Sequence, residues 1–255
     1  MSSAYFSNLF SWLTGSDLHP VNQLNKLLKY ADDMYLLVPG NNSITIQNEL
    51  DHIAGWATDN NLRLNPNKTS EKVIKRRGSR APPPPPTAGI NREASMKILG
   101  VTLQDNLGMN AHISEVLSSC SSSLYALRVL RNHGLPPASL HEVSRASTMA
   151  RLMYASPAWL GFTSEGYRDR IEAFVRNTKR FGYLPLTAQG AGELSDRADE
   201  NLFKAVRTNS RHVLHDLLPA PTSHEHYLRP RAHNFVLPEK DDRNFLNRML
   251  YKNIY

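Results

Sequence analysis

The chain has a single cysteine, Cys120, which excludes an internal disulfide framework and a thiolate-rich zinc site and fits a reducing compartment. No apolar run approaches membrane-spanning length. Ala4 to Leu13 is moderately apolar but lacks the basic flank and small-residue cleavage pattern of a signal peptide. An intracellular protein of the nucleus or cytoplasm, without membrane contact, is therefore expected. No repeat of fixed period occurs, so a solenoid is not indicated. What is present is an ordinary globular composition with a formal charge of +7, unevenly spread. Residues 1–70 carry 4 basic and 6 acidic side chains, residues 71–160 carry 11 and 5, and the remainder 15 and 12. A basic surface favours polyanions through counterion release, but this excess also occurs in proteins with no such partner.

Leu27-Leu28-Lys29-Tyr30 and Met34-Tyr35-Leu36-Leu37-Val38 are short apolar runs around Ala31-Asp32-Asp33, a pattern that predicts a tight hairpin with acids at its tip. Ile46, Leu50, Ile53 and Ala57 then recur at helical spacing, with Ser43 as the expected cap and Asn60-Asn61 as the stop. Leu62-Arg63-Leu64, Glu71-Lys72-Val73-Ile74 and Lys97 to Val101 read as strand segments. Between the last two lie the basic cluster Lys75-Arg76-Arg77-Gly78-Ser79-Arg80 and five prolines, Pro82 to Pro86, expected to form an exposed extended loop. The cluster reads as a solvated loop ahead of a nuclear-import or nucleic-acid patch.

From His112 onward the pattern becomes helical. Ile113, Val116, Leu117, Cys120, Leu124 and Leu127 share one face, ended by Gly134-Leu135-Pro136-Pro137. Further helices are expected over Ser139 to Tyr154, around Ile171 to Phe181, and across Leu202 to Leu218. The fold expectation is α+β: mixed up to about residue 105 and mainly helical beyond it.

Adjacent aspartates at a rigid hairpin tip suit Mg²⁺, which takes a few hard carboxylate ligands and completes its octahedron with water and phosphate oxygens. Asp32 and Asp33 are so placed. Aspartate is also a common turn former, and an aromatic-x-Asp-Asp string arises by chance in about a few per cent of chains of this size. The order of strings around it resembles the reverse transcriptases of non-LTR (LINE-type) retrotransposons over nearly the whole chain. Leu9-Phe10 and Ser16-Asp17-Leu18-His19-Pro20 look like the segment leading into the catalytic hairpin, and Tyr30-Ala31-Asp32-Asp33 looks like the signature turn. Trp56-Ala57, Asn61-Leu62-Arg63-Leu64-Asn65 and Lys68-Thr69 resemble the next palm motif. Leu99-Gly100-Val101 resembles the primer-grip hairpin, and His112-Ile113 the opening of the thumb. Tyr154-Ala155-Ser156-Pro157-Ala158-Trp159 and His233-Asn234-Phe235 to Tyr251 look like family sequence beyond it.

The resemblance implies a partial antiparallel polymerase palm over 1–105, a thumb-like helical region over 106–160 and a helical C-terminal region with an irregular tail over 161–255. It implies an RNA-directed DNA polymerase with Asp32 and Asp33 as catalytic Mg²⁺ ligands and Lys68 near the leaving phosphates. Tyr30, Ala31, Leu99, Gly100 and Val101 would lie along substrate or primer. RNA template, DNA primer and deoxynucleoside triphosphates are the implied partners. For Lys68 the alternative is an exposed turn lysine, and for Gly100 an ordinary bulge in a strand. The family's third metal-binding acid and its Pro-Gln-Gly segment have no counterpart here: the 29 residues before Tyr30 contain Asp17 as their only acid, within the segment that immediately precedes the hairpin. The expectation is thus a fragment, inactive alone, whose hairpin has an unpaired sheet edge prone to self-association. The alternative is a non-catalytic RNA/DNA-binding module derived from the thumb.

Weaker candidates remain. His212, His215, His224, His226 and His233 lack the spacing that puts two zinc ligands on one helical face. Arg168, Arg170, Arg176, Lys179 and Arg180 accompany Tyr167, Phe174, Phe181 and Tyr183, a mixture that can grip phosphates and stack bases, although core aromatics beside a solvated charged face is the simpler expectation. Trp159 reads as a packing anchor.

Overall fold

The computed structural model describes residues 2–8, 17–75, 82–222 and 233–252, the first of these by backbone alone. Leu9-Phe10, Ser16, the cluster Arg76 to Arg80, His224 and His226 lie outside the described residues. The fold is mixed α+β, and its contacts separate two units, Met1–Gly108 and Met109–Tyr255. Among the described residues no helix is long and apolar enough to cross a membrane.

In the first unit the sheet contains β1 (Ser2–Asn8), β2 (Lys26–Tyr30), β3 (Asp33–Pro39), β4 (Ser70–Ile74) and the short β5 (Asn91–Arg92), in the spatial order β2-β3-β1-β4-β5. All neighbours are antiparallel except β4 and β5. Successive strand residues alternate faces, so Met34, Leu36 and Val38 of β3 point to one side. There they pack with Ile46, Ile53 and Ala57 of α1 (Ile46–Asp59) and with Leu18. Burying each large apolar side chain of this kind stabilises the unit by roughly 1.5–3 kcal/mol.

Two local expectations need correction, and a third is met in part. The helix is preceded by a 3-10 turn, Gly40–Thr45, so Thr45 and not Ser43 stands at its start. At its end Asn61 adopts φ 56°, and the Leu62 amide donates to the Ala57 carbonyl at 2.7 Å while that of Asn61 donates to Thr58 at 3.0 Å. This is a Schellman arrangement with asparagine in the left-handed position. It commits Leu62 to the helix terminus, and Leu62-Arg63-Leu64 is accordingly not a strand, although Leu62 and Leu64 pack on the core. The open hairpin edge is met in part: β3 is paired along its length by β1, with Ser2 opposite Pro39 and Asn8 opposite Asp33, while β2 ends the strand order and has no second partner strand among the described residues. Unpaired backbone donors and acceptors in a buried sheet are costly, and an N-terminal extended segment satisfies them here.

β6 (Ser95–Ile98) and β7 (Val101–Gln104) form a separate hairpin, where the residue pattern suggested one strand and the resemblance a hairpin. Its two-residue turn, Leu99-Gly100, has φ of 45° and 85°, the pattern of a type I′ turn. Gly100 is thus explained by the turn's backbone.

The second unit is helical. In α2 (Asn110–Asn132), Ile113, Leu117, Cys120 and Leu127 are buried, and Gly134 at φ 86° follows its end. The helix expected over Ser139–Tyr154 runs as α3 (Pro137–Ser144), a π-helical turn at Arg145–Met149 and α4 (Ala150–Leu152). The short α5 (Ser156–Trp159) precedes α6 (Glu165–Arg180) and α7 (Ala191–Thr208). Of the one or two helices expected across Leu202 to Leu218, α7 is present and ends at Thr208; beyond it only the 3-10 turn His215–Leu217 follows, and Val213 is 87% exposed. The chain returns as α8 (Phe245–Tyr251), packing Met249 and Leu250 against Phe203 of α7.

Candidate functional site

Tyr30 pairs with Asp33 across the β2–β3 hairpin, which leaves Ala31-Asp32 as a two-residue turn. Ala31 has φ 52°, a left-handed conformation that costs a residue with a Cβ about 1–2 kcal/mol. Asp32 at the tip is exposed and Asp33 is half-buried. The two carboxylates differ in support: Asp33 Oδ2 accepts a hydrogen bond from the Tyr35 hydroxyl at 3.0 Å.

Tyr35 lies on the face of β3 opposite the α1 core and is itself buried. Burial, followed by the hydrogen bond to Asp33 and that carboxylate's charge, pushes its phenol up to about 12, against an opposing hydrogen bond from the Leu99 backbone. At neutral pH Tyr35 is therefore a fixed donor linking Asp33 to the tip of the β6–β7 hairpin.

Lys68 reaches the same place by another route. Asn65 caps a 3-10 turn, Pro66–Lys68, its side chain accepting from the Asn67 amide, while the Asn65 carbonyl accepts from the amide of Lys68 at 3.1 Å. The turn leads into β4 and sets Lys68 on the wall of a cleft of about 290 Å³ that Asp33 and Tyr35 also line. Asn91, Glu93 and Lys97 are among its other polar lining residues. Tyr30, 63% exposed, and Asp32 are not among the lining residues.

Two buried charges of β4 hold the segment that gives the cleft Asn91 and Glu93. Glu71 of β4 is fully buried, and Arg92 donates to one of its oxygens while the Thr87 hydroxyl donates to the other at 2.6 Å. Arg92 also donates to the carbonyls of Pro84 and Pro85, so the proline run, though largely exposed, is tethered. Lys72, whose ammonium burial holds below the usual lysine range, donates to the carbonyls of Glu93 and Ala94. Nothing in the spacing of Glu71, Lys72, Glu93 and Arg92 marked them in the sequence. Lys97 had a signal, since it stands two residues before Leu99-Gly100-Val101. A second buried acid, Glu49, accepts from the amides of Val21 and Asn22 at 2.9 and 2.8 Å and from Asn25 Nδ2 at 2.8 Å, which fixes the loop entering β2.

Asp17 accepts from Trp56 Nε1 at 3.2 Å, an attachment to α1. Among the described residues no three histidine, cysteine, aspartate or glutamate side chains gather as a metal-binding group. Two carboxylates completed by water and substrate phosphate are a smaller set than that. The described histidines of the last third serve backbone groups instead. His212 Nδ1 accepts from the Leu214 amide, His215 Nδ1 lies 2.8 Å from the Val206 carbonyl, and His233 Nε2 lies 2.8 Å from that of Leu250. Trp159 is buried, donates to the Tyr154 carbonyl at 2.8 Å and meets His112 edge-on, with ring centroids 5.3 Å apart. Cys120 is buried, which pushes its thiol up to about 11.

No protein-family model, curated protein or solved structure matches this chain.

Proposed function

We propose that the first unit is part of the palm of an RNA-directed DNA polymerase of the non-LTR retrotransposon type, in which Asp32 and Asp33 hold Mg²⁺ and Lys68 faces the phosphates of a deoxynucleoside triphosphate. The observation that carries this reading is the convergence of Asp33 and Lys68 on one polar cleft, where Tyr35 joins Asp33 to the backbone of Leu99 just outside the lining residues. These strings lie far apart in the chain, and a chance Asp-Asp turn gives no reason for them to meet. Mg²⁺ bound there would polarise phosphate oxygens and favour attack at phosphorus. The protein's own part is to aim Asp33 through Tyr35 and to offset phosphate charge with Lys68. Hard, adjacent carboxylates of which one is braced by a neutral donor fit one such ion. A second ion about 4 Å away calls for a further carboxylate between the two.

The reading therefore separates binding from turnover. With the 255-residue chain and Mg²⁺, a fluorescent deoxynucleoside triphosphate should bind, and Asp33→Asn or Lys68→Ala should weaken it by roughly tenfold. Wild-type affinity in both variants would refute the site. Primer extension by the chain alone should stay at background, and robust incorporation abolished by Asp33→Ala would overturn the incomplete two-ion centre.

A further inference from the structure

The ends of α2 and α6 bring rings and guanidinium groups together, and the nearest acid on α6, Glu172 one turn before Arg176, accepts from the Gly192 amide. Arg131, in the last turn of α2, donates to the Phe181 carbonyl at 2.8 Å and lies over the Tyr183 ring at 4.7 Å. Tyr183 is core, packed with Leu127 and Leu140. Phe181, the residue after α6, is 50% exposed and carries the Arg180 guanidinium 5.0 Å from its ring centre. Arg176 stands one turn before Arg180, and Arg128 and the 69% exposed Tyr125 stand before Arg131 on α2. No aspartate or glutamate occurs between Glu115 and Glu142 or between Glu172 and Glu193.

Cations at helix C-termini ordinarily offset the helix dipole. Arg131 does so at the carbonyl of Phe181, the C-cap of α6, whereas Lys179 donates to the Ala188 carbonyl in the loop beyond the helix. That explanation covers Arg180, in the last turn of α6, but not Arg128 and Arg176, which stand before the last turns of their helices, and none of the three forms an ion pair among the described residues. Nor does it explain an exposed phenylalanine beneath a guanidinium, an arrangement that forgoes the gain from burying the ring. An acidic peptide would use the cations and leave the ring idle. A duplex conceals its base faces, whereas a single strand offers phosphates and flat rings together.

We propose that this helix-end surface binds single-stranded nucleic acid, with a base stacked on Phe181 and flanking phosphates met by Arg180, Arg176 and Arg128. The proposal stands on the second unit and does not rest on the polymerase reading.

The test is fluorescence anisotropy of the full chain with labelled oligo(U) and oligo(dT), against a blunt RNA/DNA duplex and an oligoglutamate peptide. Both single strands should bind more tightly than duplex or peptide. A preference for oligo(U) assigns the site to RNA, and equal affinity assigns it to either sugar. Phe181→Ala should weaken binding roughly tenfold or more, and Phe181→Trp should retain it. Arg176→Gln with Arg180→Gln should flatten the log–log salt slope by about 1.4, two phosphate contacts' worth. Circular dichroism of each variant shows whether the helices persist, and the Phe181→Trp protein keeps the comparison valid if the alanine variant unfolds. Equal affinity for peptide and strands, tighter duplex binding, or a Phe181→Ala chain that binds like wild type while the arginine variants lose affinity would each overturn it.

Discussion

Ala31 and Tyr35 show what a single position does at the hairpin. The turn places Ala31 at φ 52°, where a β-branched side chain fits far worse than a methyl group. Ala31→Val should cost roughly 1–3 kcal/mol in urea unfolding, and a neutral result would mean that the turn adopts another backbone. Tyr35 carries a pH signature. Its phenol is raised to about 12, so the folded state holds the proton more tightly than the unfolded chain. The associated stability is fully present below the ordinary phenol range and is lost as pH climbs through it toward about 12. Tyr35→Phe should remove this alkaline loss, measured as the change in urea midpoint with pH. An unchanged alkaline profile would assign the loss to other groups. The same substitution frees Asp33, so triphosphate affinity should fall with it.

Among the elements, β4 is braced by one charge and the C-terminal segment by one absence of a side chain. Glu71→Ala would leave Arg92 without its carboxylate in a mostly buried position and release Thr87, costing roughly 3 kcal/mol; Glu71→Gln, which keeps acceptor geometry, should cost less. Urea denaturation orders the two, and equal losses would mean that charge alone matters. Gly161, in the turn after α5, has no room for a Cβ: it would collide with the Arg243 carbonyl and the Arg248 guanidinium. Arg248 in turn donates to the buried Asp199 of α7 at 2.8 and 3.2 Å. Gly161→Ala should destabilise the second unit by roughly 1–3 kcal/mol, read as a lower melting temperature of the helical signal.

At the scale of the molecule, each unit carries its own apolar core, Leu36 and Ile53 in the first and Leu250 and Phe203 in the second. Hydrogen exchange should therefore find the effect of Glu71→Ala concentrated in β3 and β4 and that of Gly161→Ala in α7 and α8. A uniform increase across both units would show that they unfold as one.

Local order was written in the residues. The short apolar run Met34-Tyr35-Leu36-Leu37-Val38, the helical spacing of Ile46, Ile53 and Ala57, and the apolar face of Ile113, Leu117 and Leu127 depend on neighbours a few positions apart, so composition and spacing sufficed to place them. The acidic hairpin tip was legible for the same reason. Events that depend on distant segments were not. β1 reached the edge of β3, Glu49 and Glu71 went into the interior with their donors, and Leu62 served a helix terminus instead of a strand. Phe181, expected in the core, lies at the surface while its neighbour Tyr183 fills the interior. The cleft that joins Asp33 to Lys68 and Lys97 belongs to this second kind. The spacing of apolar residues sets the period of an element, but which face meets which partner depends on burial and hydrogen-bond satisfaction across the whole unit.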